Sequence, residues 1–212
     1  MKLVDALAQF NRKERYWLIR NALGDSSRTL DKGFRATLSD VNGIEVPEDA
    51  WWAMDYHLDW LVGALDLYKS GGKNGGVQPN AADLVQGNQE DIDLVIAFDQ
   101  TLILIEAKGD SPWNNEQLDS KLCRLEACFK YVDPVKAELS VFFLLMSPTK
   151  SEKLKRKDQR TWPNWMVHEN GQPRWSKLRM AEAGQEPKFL RVVRYSEAAG
   201  AVDKAGLHWK VQ

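Results

Sequence analysis

Between Glu90 and Gly109 the chain reads Glu-Asp-Ile-Asp-Leu-Val-Ile-Ala-Phe-Asp-Gln-Thr-Leu-Ile-Leu-Ile-Glu-Ala-Lys-Gly, with carboxylates at Asp91, Asp93 and Glu106 and an ammonium at Lys108. The alternation of Ile92, Leu94, Ile96 and Phe98 with Asp91, Asp93, Val95 and Ala97 predicts a strand, and Leu102 to Ile105 predicts a second. A hairpin loop centred on Asp99-Gln100 puts Asp93 opposite Glu106 and Asp91 opposite Lys108, because antiparallel partners step in opposite directions. Two carboxylates facing each other across a ladder repel, so the arrangement asks for a positive charge between them. Hard oxygen ligands without a nearby His or Cys favour Mg²⁺, with Mn²⁺ as the alternative, over zinc. Lys108 lies two residues beyond Glu106 and hence on the same sheet face, where an ammonium can orient a water or stabilise charge on a phosphate oxygen. The bland alternative is a solvent-facing Asp91–Lys108 pair at the end of an ordinary hairpin.

The elements that must position these groups follow from periodicity. Leu3, Leu7, Phe10, Trp17 and Leu18 mark one helix from Leu3 to Leu23, or two broken at Asn11, with Gly24 as a stop. Leu38, Val41 and Ile44 stand among polar residues without a clear period. From Pro47, the spacing of Trp51, Trp52, Met54, Leu58, Leu61, Val62, Leu65 and Tyr68 predicts a second long helix to about Lys69. On such a helix Asp55, His57 and Asp59 cannot form one ligand set, since residues two apart diverge by about 200°. Ser70 to Gly76 reads as a linker without phosphate-loop spacing. After the hairpin, Ser111-Pro112 opens an amphipathic helix carrying Leu118, Leu122, Leu125, Cys128 and Phe129, and Asp133-Pro134 breaks it. Leu139 to Met146 suits a strand buried on both faces, and Phe189 to Tyr195 suits one more strand after an unassigned Trp-, Pro- and Lys-rich stretch.

Asp93 on one strand and Glu106-Ala107-Lys108 on the next resemble the PD-(D/E)xK phosphodiesterase superfamily, the restriction-endonuclease-like nucleases. The order hairpin, helix, buried strand extends the resemblance over the middle third of the chain; Gln89-Glu90 stands where the family's proline would precede the acid. The resemblance implies an α/β (α+β) fold with a mixed central sheet flanked by helices, and metal-dependent hydrolysis of nucleic-acid phosphodiesters. It implies that Asp93, Glu106 and the backbone carbonyl of Ala107 hold Mg²⁺ or Mn²⁺, that Lys108 serves the attacking water, and that Gln117 on the following helix, with Lys121 one turn later, lies near the site. An acidic residue from an N-terminal helix is common in the family, and Glu14 is the candidate here; Asn11-Arg-Lys-Glu14 also has capping-box spacing, which gives Glu14 a purely structural role. The implied partner is nucleic acid, DNA ahead of RNA, with a homodimer admitted. The alternative is a nuclease-like fold that binds nucleic acid or protein without cutting.

Lys150, Lys153, Lys155, Arg156, Lys157 and Arg160 form the one basic cluster in a chain of 29 Lys+Arg and 30 Asp+Glu, and could hold a phosphate backbone. Trp162, Trp165 and Trp175 follow it, placed either for packing or for stacking on unpaired bases. The 212 residues, 43% hydrophobic, read as one domain with a helical portion at 1–76, a nuclease-like core at 88–147 and an extension at 148–212 holding a final strand. The longest apolar run, Val141 to Met146, is far short of a membrane span, and charge at Asp5 and from Arg12 onward leaves no room for a signal peptide. Cys123 and Cys128 point to different faces of a helix and read as reduced thiols, which places the chain in the cytoplasm.

Overall fold

The computed structural model describes residues 1–23, 29–73, 76–80, 83–88, 90–109, 113–132, 139–180, 190 and 192–211. These form two compact units, Met1–Leu178 and Arg179–Gln212. The first is a five-stranded mixed sheet with helices on both faces.

Its strands are β1 (Trp51–His57), β2 (Asp91–Phe98), β3 (Thr101–Ala107), β4 (Ser140–Ser147) and β5 (Trp175–Lys177), in that spatial order. Strands β1, β2 and β3 run antiparallel to their neighbours, whereas β3, β4 and β5 are parallel. Helix α5 (Asn115–Val132) makes the crossover that the parallel β3–β4 pairing requires. β3 is central and covered on both sides, which is why Leu-Ile-Leu-Ile shows no polar alternation.

One face buries Leu102, Leu104, Phe143 and Leu145 against α1 (Leu3–Phe10), α4 (Leu58–Lys69) and α5. Gly63 of α4 allows a close approach there: a Cβ at that position would sit 2.9 Å from the Phe10 ring. The other face buries Ile103, Ile105, Leu144 and Met146 beneath α3 (Lys32–Asn42). α3 is the helix that the scattered Leu38 and Val41 concealed, and its start is fixed by Asp31, whose carboxylate accepts from the Phe34 amide at 2.9 Å. α2 (Glu14–Leu23) follows α1 after a break at Asn11 and packs Tyr16 edge-on against Trp52.

The long helix expected from Pro47 to Lys69 is corrected: Trp51–His57 is strand β1, and only Leu58–Lys69 is helical. The misleading helical spacing has a cause in the strand itself. Asp55 adopts a positive φ of 49°, the pairing skips from Met54↔Leu94 to Tyr56↔Ile92, and Ala53 and Tyr56 therefore enter the same core cluster three residues apart. Asp55, His57 and Asp59 still do not form a ligand set. They meet Arg15, Asp91 and Arg124 respectively.

The hairpin has the expected register, with Leu94 opposite Ile105 and Phe98 opposite Thr101 around Asp99-Gln100. The unassigned stretch after β4 contains short 3-10 turns at Lys157–Gln159 and Asn164–Met166, then β5. In the second unit β6 (Val192–Ser196) pairs antiparallel with β7 (Ala201–Val202) and β8 (His208–Val211). The expected stops at Gly24 and Asp133-Pro134, the helix entry at Ser111-Pro112, the substituted Gln89, and Phe189 lie outside the described residues. No helix among the described residues is long and apolar enough to cross a membrane.

Candidate functional site

The paired hairpin ladder ends at Leu94↔Ile105, one step before Asp93 and Glu106, whose charges act on each other. At this end the Asp93 side chain replaces part of the ladder: its Oδ2 accepts from the Ala107 amide at 2.7 Å. Glu106 is 7% exposed, a carboxylate at the end of the most enclosed strand. Burial pushes its carboxyl up to about 7, the Asp93 charge adds to the rise, and Lys121 and Lys108 oppose it.

Lys121 comes from α5. It lays its ammonium on Glu106 Oε1 and donates to the Asp91 carbonyl at 2.5 Å. Its helix is started by Asn114, whose Oδ1 accepts from the Glu116 and Gln117 amides at 2.9 and 3.2 Å. Gln117 is exposed one turn before Lys121 on the same helix face. Lys108 donates its amide to the Met146 carbonyl at 2.8 Å, and among the described residues its ammonium has no hydrogen bond or ion pair. The Asp91–Lys108 pair of the bland reading is absent among the described residues. Asp91 Oδ2 instead accepts from Lys13 Nζ at 2.9 Å, while its buried Oδ1 lies 3.2 Å from His57 Nδ1 without accepting a hydrogen bond.

Asp93, Glu106, Ala107 and Lys108 thus come together, with Lys121 added. Glu14 is exposed at the first position of α2 and makes neither a capping-box bond nor an ion pair among the described residues. Its neighbour Lys13, buried at the break between α1 and α2, is what reaches the end of β2. Lys13 carried no sequence signal, since its partner Asp91 is far along the chain, and His57 was set aside because its segment read as helix rather than as the strand that lies beside β2.

The basic cluster divides. Arg156 is buried, its Nε donating to Asp119 Oδ1 at 2.7 Å and its Nη2 to Glu126 Oε2 at 2.8 Å, while Arg160 pairs with Asp119 Oδ2 at 2.5 Å. Burial works to raise the Asp119 carboxyl, but the two guanidinium groups outweigh it and hold it below the ordinary carboxylate range. Arg156 is therefore corrected from phosphate contact to internal ion-pair partner, and Arg160 is committed beside it. Lys150, Lys153, Lys155 and Lys157 remain exposed. Their loop is tied to the first turn of α5, where Asn115 Nδ2 donates to the Lys153 carbonyl at 3.2 Å and Asn115 Oδ1 accepts from the Lys155 amide at 3.1 Å.

The donor set fits a hard divalent cation. Mg²⁺ is commonly held by one or two carboxylates and keeps several waters, and Asp93 and Glu106 offer such oxygens beside the Ala107 carbonyl. Among the described residues no three His, Cys, Asp or Glu side chains form a larger metal-binding group. Burial raises the Glu106 carboxyl although Lys121 opposes it, and a divalent cation beside Asp93 and Glu106 would oppose that rise further. No family model, curated protein or solved structure matches this chain.

Proposed function

We propose that the chain is a metal-dependent nuclease that hydrolyses nucleic-acid phosphodiester bonds on a restriction-endonuclease-like core. The observation that carries this reading is the meeting of Asp93 and Glu106 at the end of the β2–β3 hairpin, with Lys108 unpaired among the described residues and acting electrostatically on Glu106. The β2–β3 hairpin followed by helix α5 and the buried strand β4 supports it, since that is the order the resemblance implies.

In this reading Asp93, Glu106 and the Ala107 carbonyl hold Mg²⁺ or Mn²⁺. Such an ion polarises the scissile phosphate and lowers the pKa of the attacking water. Lys108 orients that water or stabilises phosphate charge, Gln117 stands at the exposed edge, and the lysines at 150, 153, 155 and 157 retain the phosphate backbone of DNA or, second, RNA. Two free cysteines, Cys123 and the buried Cys128, fit a reducing cytoplasmic setting.

The test is incubation of the chain with plasmid, single-stranded DNA and RNA, each in Mg²⁺, Mn²⁺ or EDTA. Metal-dependent cleavage that Asp93→Asn abolishes is the expected result, and no cleavage under any condition would overturn the reading. A non-cutting binder is favoured by a different observation: Glu106 is engaged by Lys121, and Asp93 by the Ala107 amide. Affinity unchanged in EDTA, without cleavage, identifies that case.

A further inference from the structure

The three tryptophans after the basic loop have different surroundings. Trp165 packs edge-on against Phe129 and Phe143 and belongs to the core. Trp162 and Trp175 also pack against that core, and in addition line a cavity of about 430 Å³ together with Leu145 and Leu154 and the exposed Lys150, Glu152 and Gln172. The Trp175 ring is held in place by its Nε1–H, which donates to Ser147 Oγ at 2.9 Å. Lys150 and Gln172 are exposed at the mouth, one a cation and the other an amide with both donor and acceptor.

The sheet register relates this cavity to the carboxylates. Glu106 pairs with Leu145 across β3–β4, and Leu145 pairs with Trp175 across β4–β5. Glu106 and Trp175 therefore lie in one cross-sheet row, two strand spacings or about 10 Å apart. Short unpaired nucleic acid can span that distance.

From this placement we infer that the Trp162–Trp175 cavity takes an unpaired nucleobase, with Lys150 at the adjoining phosphate, so that the substrate is engaged as a single strand. Flat aromatic walls suit any base, and an amide at the rim can meet a base edge. The cavity lies within the size range of small-molecule sites. The inference rests on the nucleic-acid reading of the hairpin site for its choice of ligand.

The test is fluorescence anisotropy of a labelled single-stranded oligonucleotide with the full chain in Ca²⁺, in DNA and RNA arms, each beside a matched strand containing abasic residues. Wild type is expected to bind the base-bearing strand roughly 5- to 150-fold more tightly than the abasic one, the range of one stacked base. Trp162→Ala and Trp175→Ala should bind both strands alike, and Trp162→Phe and Trp175→Phe, which keep a ring, should recover part of the preference. Equal wild-type affinity for the two strands overturns the inference, whatever the variants do, and so does an undiminished preference in both Ala variants. Base preference without Mg²⁺-dependent cleavage upholds the cavity and counts against the nuclease reading alone. Cleavage dependent on Asp93 without base preference overturns the cavity alone.

Discussion

Lys121 of α5 holds its ammonium against the Glu106 carboxylate at the buried end of β3, and both side chains are at most 10% exposed. Removing one member of such a pair leaves an uncompensated charge in a low-dielectric setting, with a cost of about 3–5 kcal/mol. Lys121→Met should therefore destabilise the protein by about that amount at pH 8. At pH 5 the loss should be much smaller, because Glu106 can take a proton and become neutral. Urea unfolding at the two pH values checks this, and adding Glu106→Gln to Lys121→Met should restore most of the stability lost at pH 8.

Glu106 also sets a pH dependence of its own. Its folded-state pKa of about 7 lies above the ordinary 4.5, so between these values the folded state binds the proton more tightly than the unfolded chain does. The contribution to stability is full below about pH 4.5, falls as pH rises toward 7 and then levels off. The fall amounts to about 3 kcal/mol. Glu106→Gln should remove this component, visible as a flatter plot of unfolding free energy against pH between 4.5 and 7.

Asp93 has two separable roles. Its charge helps to raise the Glu106 pKa, and its Oδ2 satisfies the Ala107 amide at 2.7 Å. Removing like-charge repulsion therefore does not come free, as opposed carboxylates on a bare ladder would suggest. Asp93→Ala should cost about 1–3 kcal/mol by orphaning that amide, whereas Asp93→Asn keeps a carbonyl acceptor and should stay within about 1 kcal/mol of wild type. Both should eliminate metal-dependent cleavage, and Asp93→Asn should lower the Glu106 pKa. Thermal unfolding, a cleavage assay and carboxyl titration by NMR separate these effects.

The hairpin was legible because its signal is local: two short apolar runs on either side of a two-residue turn, whose register follows from counting. β4 and α5 were legible for the same reason, one as an unbroken apolar run and the other as a stripe. β1 was not, since the positive φ at Asp55 replaces alternation with a spacing of three that a helix also produces. The Lys13–Asp91 contact joins residues 78 positions apart and has no trace in local pattern. The basic cluster misled in part because charge density says nothing of burial: Arg156 is as cationic as Lys155 but faces Asp119 and Glu126 inside the fold.

That division of the basic loop predicts two opposite outcomes from substitutions of similar chemistry. Lys153, Lys155 and Lys157 are exposed, on a loop anchored by Asn115 to the first turn of α5, the helix that brings Lys121 to Glu106. Replacing all three with Gln should leave folding nearly unchanged. If each contacts a phosphate, the slope of log affinity against log salt should flatten by about 0.7 to 0.9 per lysine, the lower value for single strands. Arg156→Gln should act in the other direction, leaving buried Asp119 with only the more exposed Arg160 and costing about 3–5 kcal/mol of stability, with the salt slope unaltered in the fraction that stays folded. Binding measured against salt in Ca²⁺, beside urea unfolding of both variants, decides the matter. Coincident slopes for wild type and the triple variant would leave these lysines as a solvated face and move the phosphate path elsewhere.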